Sequence, residues 1–279
     1  MTLVYACITP HGHEIIPTLA GKNTNLFLPT RKGVRLLAAE LRATRPHTII
    51  IASPHNLRLA RHIGVVTSEN STGQVSSHGR QIVLKAKCDV ELAGMIADSA
   101  QKRGIPVVEA NYGTASGPNS DLPMDWGTLI PLWFFAKRNH VESKIVVVAP
   151  SREIPIGQNF EFGRIVAEVS EREHRRIAFV ASADQAHTHR RSGPYGYSRK
   201  ASQYDQRVIT AIESDDLRSM LNTPPSLINS AKPDSFWQIA MLAGVLDVVP
   251  MKGRLISYQV PNYYGMICAG YARKKDEDA

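Results

Sequence analysis

Histidines and carboxylates collect where the apolar runs of this sequence end. His11 and His13 follow the run Leu3 to Ile8, His55 follows Thr48 to Ala52, and Asp184, His187 and His189 follow Ile177 to Val180. Asp234 stands just ahead of another apolar segment, Phe236 to Leu246. Two neutral imidazoles and a carboxylate on one face of a divalent iron leave positions open for substrate and oxygen, the logic of non-haem iron oxygenases. Zinc takes similar ligands with one position left for water. A histidine outside the ligand set, with its pKa near neutrality, can act as a base and later as an acid. The densest group is ASADQAHTHRRSGPYGY, Ala181 to Tyr197, where an acid, two imidazoles and a Gly-Pro turn share one exit.

Bringing these exits together requires strands whose carboxyl ends lie side by side, because open α/β sheets hold their ligands there. The β-branched run Thr48 to Ala52 and the apolar runs Leu3 to Ile8, Lys144 to Ala149 and Ile177 to Val180 read as buried strands. Ile105 to Val108, Arg254 to Tyr258 and Gly265 to Ala269 are further strands. Helical spacing marks Arg31 to Thr44, Asp89 to Arg103 with Gly104 as its cap, Ile156 to Arg172, Ser202 to Ser214 and Phe236 to Leu246, and Asp125 caps an apolar helix. The polar stretch His62 to Arg80 reads as a short strand and an exposed excursion without chemistry, and Asn111 to Asp125 as a loop of the kind that lines a site. The alternation predicts an α/β fold, a single domain over residues 1–279, with a central mostly parallel or mixed β-sheet flanked by helices.

Composition narrows the function. With 279 residues, 43% of them apolar, the chain can bury one large core. No long apolar run or leader-like N-terminus is present, so a cytoplasmic protein without a membrane partner is expected. Cys7, Cys88 and Cys268 are odd in number and in no ligand spacing, which predicts reduced core residues. The net charge of +8 is scattered, and its densest run, EREHRR, is interrupted by acids, which argues against nucleic acid. A basic pocket for an anionic small molecule fits the surplus as well. The terminal ARKKDEDA is expected to fray.

In order along the chain stand Pro10-His11, Ser53-Pro54-His55, Asp125-Trp126-Gly127-Thr128 with Pro131-Leu132, and Asp184 to His187. Gly193-Pro194-Tyr195-Gly196-Tyr197, Tyr204-Asp205 and Lys232-Pro233-Asp234, before a helix ending in Gly244, complete the series. The sequence resembles the class III extradiol ring-cleavage dioxygenases, the group of the protocatechuate 4,5-dioxygenase β subunit, over nearly its whole length. The resemblance implies a non-haem iron(II) enzyme of aromatic catabolism, with His11 and His55 as metal ligands and His187 as the base toward a catechol hydroxyl. It implies cleavage with O2 to a muconic semialdehyde-type product, a homo-oligomer and, for some β-type chains, a separate small α subunit.

Two positions depart from the family pattern. Trp126 stands where many relatives have a histidine, and an indole can donate a hydrogen bond but cannot shuttle a proton, so Trp126 is assigned to the substrate pocket. The family's third ligand, a glutamate or, in a zinc-binding branch, a histidine, falls at or beside Asp234. Asp234 is taken as that ligand, with Ser235 and Glu14 as the alternatives. His13 is assigned to hydrogen bonding with the substrate, and His189 to a solvated or substrate-orienting role. Tyr195 and Tyr197 could line the pocket and are expected rather to pin their loop, Asp184 to orient a histidine or satisfy backbone donors, and Arg152, Arg190 and Arg191, which could bind a substrate carboxylate, are expected to be exposed and stay outside the assigned site. A zinc or other metal-dependent enzyme on the same scaffold, and a metal-free binding protein, are the competing readings.

Overall fold

The computed structural model describes residues 2–137 and 140–273. Ten strands and seven α-helices are seen among them: β1 Leu3–Thr9, α1 Leu28–Thr44, β2 Thr48–Ala52, β3 Ile63–Val66, β4 Asn70–Ser77, β5 Arg80–Lys87, α2 Val90–Lys102, β6 Val107–Ala110 and α3 Trp126–Phe135. There follow β7 Lys144–Ala149, α4 Ile156–Arg172, β8 Ile177–Ser182, α5 Lys200–Glu213, α6 Pro225–Ala231, α7 Phe236–Val248, β9 Lys252–Gln259 and β10 Met266–Ala272. Eight strands form one sheet in the order β6-β3-β7-β2-β8-β1-β10-β9. Its centre, β7-β2-β8-β1, is parallel, while β3 against β7 and the β1-β10-β9 edge are antiparallel. The fold is therefore a single α/β domain with a mixed sheet.

The central strands are buried on both faces, which is why they read as continuous apolar runs. Their pleat sends alternate side chains to opposite layers. Ala6, Ile8, Ile50, Ala52, Phe179 and Ala181 pack with α2, α4, α5 and α7, whereas Tyr5, Cys7, Ile49, Ile51, Ala178 and Val180 pack with α1 and α3. Register then levels the strand ends. Thr9 pairs with Ser182, and Ala52 with both Ala181 and Val148, so the residues after β1, β2 and β8 leave the sheet side by side.

The stretch expected to be an exposed excursion is instead a hairpin, β4 with β5, turned at His78 and Gly79, both at positive φ. Leu84 and Ala86 carry its buried face; the polar residues around them hid the alternation. Helix α6 and the 3-10 segments His13–Ile15, Gly21–Phe27 and Leu217–Asn222 were not expected, being too short to show a period. The three cysteines are buried and unpaired, and burial pushes the Cys88 and Cys268 thiols up to about 12. Of the terminal segment, Ala272 ends β10 and Arg273 bonds Glu171 at 2.6 Å; residues 274–279 lie outside the described residues. No helix among the described residues is long and apolar enough to cross a membrane.

Helices α4 and α7 touch backbone to backbone. A methyl group on Gly163 would overlap the Met241 carbonyl, and one on Gly244 would overlap the Phe160 carbonyl. This contact seats α7, the helix that Asp234 and Ser235 lead into. Gly163→Ala and Gly244→Ala should each cost about 1–3 kcal/mol of stability, read as a lower urea midpoint at unchanged slope. Midpoints equal to wild type would show that the helices can move apart freely.

Candidate metal centre

Three side chains from distant parts of the chain converge above the levelled strand ends. His11 Nε2 lies 3.1 Å from His55 Nε2 and 3.2 Å from Asp234 Oδ2, and His55 Nε2 is also 3.2 Å from Asp234 Oδ2. The two rings meet edge to face at 4.9 Å. His11 and Asp234 are buried and His55 partly so. Asp234 arrives through a forced turn. Lys232 ends α6 in the left-handed region (φ 52) immediately before Pro233, a conformation disfavoured for a lysine and for any residue preceding proline.

A surrounding set of polar groups fixes the imidazoles. Ser182 Oγ donates to the Gly127 carbonyl at 2.5 Å, so it accepts from His11 Nδ1–H at 3.0 Å. His11 therefore keeps an N–H on Nδ1, so that a metal displacing the Nε2 proton meets that nitrogen's lone pair, the way metal-binding histidines are commonly held. Asp184 accepts from the His11 backbone N–H at 3.2 Å and sets its other oxygen 3.3 Å from His11 Nε2. It thus meets both expectations for it, orienting a histidine and satisfying a backbone donor. Asp125 caps α3 and binds Ser53 and, at 3.1 Å, Asn56, tying the loop that bears His55 to that helix. Gly127 has no room for a side chain between Ser53 and Asp125. Trp126 stacks on His55 at 4.2 Å.

The charges ask for a cation. Burial lowers the His11 pKa, but the charges of Asp184 and Asp234 outweigh it and push it up to about 9. Burial likewise raises Asp184, opposed by His11 and helped by Asp234, to about 7. For Asp234 burial is overcome by His11 and by hydrogen bonds from both imidazoles, which hold its carboxyl well below the usual range. Its second oxygen, Oδ1, is buried without a hydrogen-bond partner. Metal–ligand bonds of about 2.0–2.2 Å set neighbouring ligand atoms roughly 3 Å apart, the spacing found here. The residues present fit a divalent metal.

A cavity of about 550 Å³ opens on the cluster, lined by His55, Trp126, Asp234 and His187 among others. His187 Nδ1–H donates to the Gln185 carbonyl at 2.8 Å, which leaves Nε2 as the basic atom. Burial lowers its pKa, so the ring is neutral at pH 7. Tyr264 stacks against it at 5.3 Å. Its loop is held from behind by Asp205, which accepts from Ala186 N at 2.9 Å, His189 Nε2 at 2.8 Å and Tyr258 OH at 2.9 Å.

Several expectations change. His189 is neither solvated nor at the substrate; its buried ring is spent on Asp205. Tyr195 lines the cavity rather than pinning a loop, and Tyr197 is exposed. Glu14 is engaged by Asn262 Nδ2 at 3.0 Å and Tyr264 OH at 2.9 Å, and Ser235 by Tyr204 OH at 2.9 Å, so neither reserve ligand joins the cluster. His13 sits on a one-turn segment with Nδ1 3.6 Å from Glu14 and is not among the residues lining the cavity. Arg190 bonds the Pro261 carbonyl at 2.9 Å, and Arg191 is exposed. Arg152, expected to be exposed, is partly buried in the cavity wall. Sequence reading passed over Ser182, whose position as the last residue of a buried strand carries no signal of a bond to His11.

Two histidines and a carboxylate, clustered above the strand ends of a mixed α/β sheet, form a group that could hold a metal ion. Residues 5–270 match the family described as the catalytic LigB subunit of aromatic ring-opening dioxygenase, and the chain belongs to that family. Protein CA_C1420 of Clostridium acetobutylicum is 24% identical over 271 residues, covering 97% of this chain and 56% of that protein. The chain thus spans about half the length of that curated relative. The uncharacterized protein JW3007 of Escherichia coli shares the fold with a TM-score of 0.65 at 18% identity, over 96% of this chain and 99% of that one.

Ser182→Ala removes the acceptor that sets the His11 tautomer. Metal affinity should fall about 10–100-fold with the fold intact, measured by metal titration alongside circular dichroism. Unchanged affinity would mean that His11 needs no such partner.

Proposed function

We propose that this chain forms the catalytic domain, one unit over residues 1–279, of an iron(II)-dependent extradiol dioxygenase acting on a catechol-type substrate. The observation that carries this reading is the triangle of His11, His55 and Asp234 at a cavity into which a neutral, partly buried His187 also faces. In the reaction the ring bond next to the diol breaks and both atoms of O2 enter the product, one in a carboxylate and one in the aldehyde of a muconic semialdehyde.

His11, His55 and Asp234 would hold the metal. Bound iron(II) supplies open coordination positions and a path for electron density between the diol and oxygen. His187 Nε2 takes the proton of a substrate hydroxyl and later returns it, while its Nδ1–H stays on the Gln185 carbonyl. Trp126, stacked on His55, forms a flat wall suited to an aromatic ring. The unpaired cysteines support a reducing, cytoplasmic setting.

Anaerobic iron(II) binding tests the root of this reading. Wild type should retain about one iron per chain after desalting and His55→Ala almost none, with zinc run in parallel to compare the two metals. Equal retention by both would remove the ligand assignment. His187→Ala should keep the metal and lose roughly 10²–10⁴-fold in kcat, read by oxygen uptake with a catechol panel. Since the base must be neutral and burial depresses its pKa in the free protein, wild-type kcat/KM should fall with acid only below the ordinary imidazole value of 6.5. A fall beginning above that value would place the required base elsewhere.

A further inference from the structure

A second cavity, of about 580 Å³, lies at the opposite end of the sheet from the metal cluster. Strand β10 runs antiparallel to β1, so Tyr271 and Arg273 at its end stand beside the start of β1. The last turns of α7 and the segment Asp215 to Arg218 line the same space. Leu217, Ala243, Leu246 and Met251 give it an apolar floor, and it shares no lining residue with the metal cavity.

Tyr271 is the informative member. It is 1% exposed, and its hydroxyl is buried with no hydrogen-bond partner among the described residues. Its ring passes across Gly253 of β9. A methyl group there would meet ring Cε1 at 2.7 Å and Asp215 Oδ1 at 3.3 Å, so the ring edge and that carboxylate lie together. Burial first, and then the charge of Asp215, push the phenol pKa up, which keeps the hydroxyl protonated. A buried hydroxyl without a partner costs free energy that a group entering the cavity can recover.

The charges around it do not balance. Arg218 is matched to Asp247 at 3.2 Å and Arg273 to Glu171 at 2.6 Å, whereas among the described residues Asp215, Asp216 and Lys252 enter no salt bridge. Each aspartate gives one oxygen to a backbone N–H, Asp215 Oδ1 to Gly253 at 2.7 Å and Asp216 Oδ1 to Ser219 at 3.1 Å. Two carboxylates against one exposed lysine leave the rim negative.

From this arrangement we infer that the second cavity binds a small organic ammonium ion. Its apolar body lies on Leu217, Leu246 and Met251, and its N–H donors are shared between the Tyr271 hydroxyl oxygen and the Asp215 carboxylate, with Asp216 adding to the attraction. Hydrogen bonds from a charged donor are stronger than neutral ones, and the floor contributes in proportion to the apolar area covered. The site does not depend on the ring-opening reading, and neither reading fails with the other.

Calorimetry with benzylamine and its neutral analogue benzyl alcohol tests it. Wild type should bind benzylamine at one site per chain, at least about 10-fold more tightly than benzyl alcohol. Tyr271→Phe keeps the ring and removes only the hydroxyl, and should weaken benzylamine about 3–10-fold. Asp215→Asn removes the charge while keeping an acceptor for Gly253 N–H and a residue type that tolerates the left-handed backbone found there (φ 54). It should close the gap between amine and alcohol, and it decides the matter if Tyr271→Phe fails to fold. His55→Ala, in the other cavity, should leave the benzylamine affinity unchanged. No saturable binding, equal affinities for amine and alcohol in wild type, or an affinity that survives both substitutions at the second cavity would overturn the inference. Loss of binding in His55→Ala would overturn it as well, by moving the amine to the metal cavity.

Discussion

Three electron-rich atoms, two imidazole nitrogens and a carboxylate oxygen, stand 3.1–3.2 Å from one another in a nearly dry corner of this protein. Such atoms repel unless a positive charge lies among them. A proton answers part of the need, which is why His11 is held protonated well above its ordinary range. A divalent cation answers it more fully, and the fixed His11 tautomer and the free Asp234 oxygen are both disposed for one. The surrounding structure is organised so that this crowding survives.

The sheet supplies the first part of that organisation. Because β1, β2 and β8 are parallel, with Ile8 and Ala52 both paired to Ala181, their exits begin from a common level. His11 needs only two further residues, and His55 only three, to reach the same point. The third ligand cannot come that way, since Asp234 belongs to a helix start. Its placement depends on the strained Lys232-Pro233 turn and on the glycine-mediated seat of α7 against α4. Local strain is tolerated there because the packing on either side over-determines it.

The same economy governs the groups around the cluster. Asp125 joins the cap of α3 to the loop after β2, and the Gly127 carbonyl orients Ser182, which in turn orients His11. Asp205 does for the His187 loop what Asp125 does for the His55 loop, binding two backbone-proximal donors and a tyrosine from buried positions. Apart from the free Asp234 Oδ1, the polar groups at the metal-ligand end of the cavity are thereby engaged with one another.

The sequence by itself determined the elements and the participants. Continuous apolar and β-branched runs marked the central strands nearly to the residue, and Asp89 and Asp125 stood where helix caps belong. His11, His55, His187 and Asp234 could be named because each follows or precedes an apolar element, a signal local to the chain. Strand pairing and its register, long-range bonds and relative depth are not local. Tertiary structure alone decided that Asp234 rather than Glu14 or Ser235 joins the histidines, because only packing commits those alternatives to Tyr264, Asn262 and Tyr204. It alone showed that His189, two residues from a His187 that faces the cavity, is bound to Asp205. It also set Arg152 in the cavity wall with its guanidinium over Trp237, a fact of space that no spacing along the chain encodes.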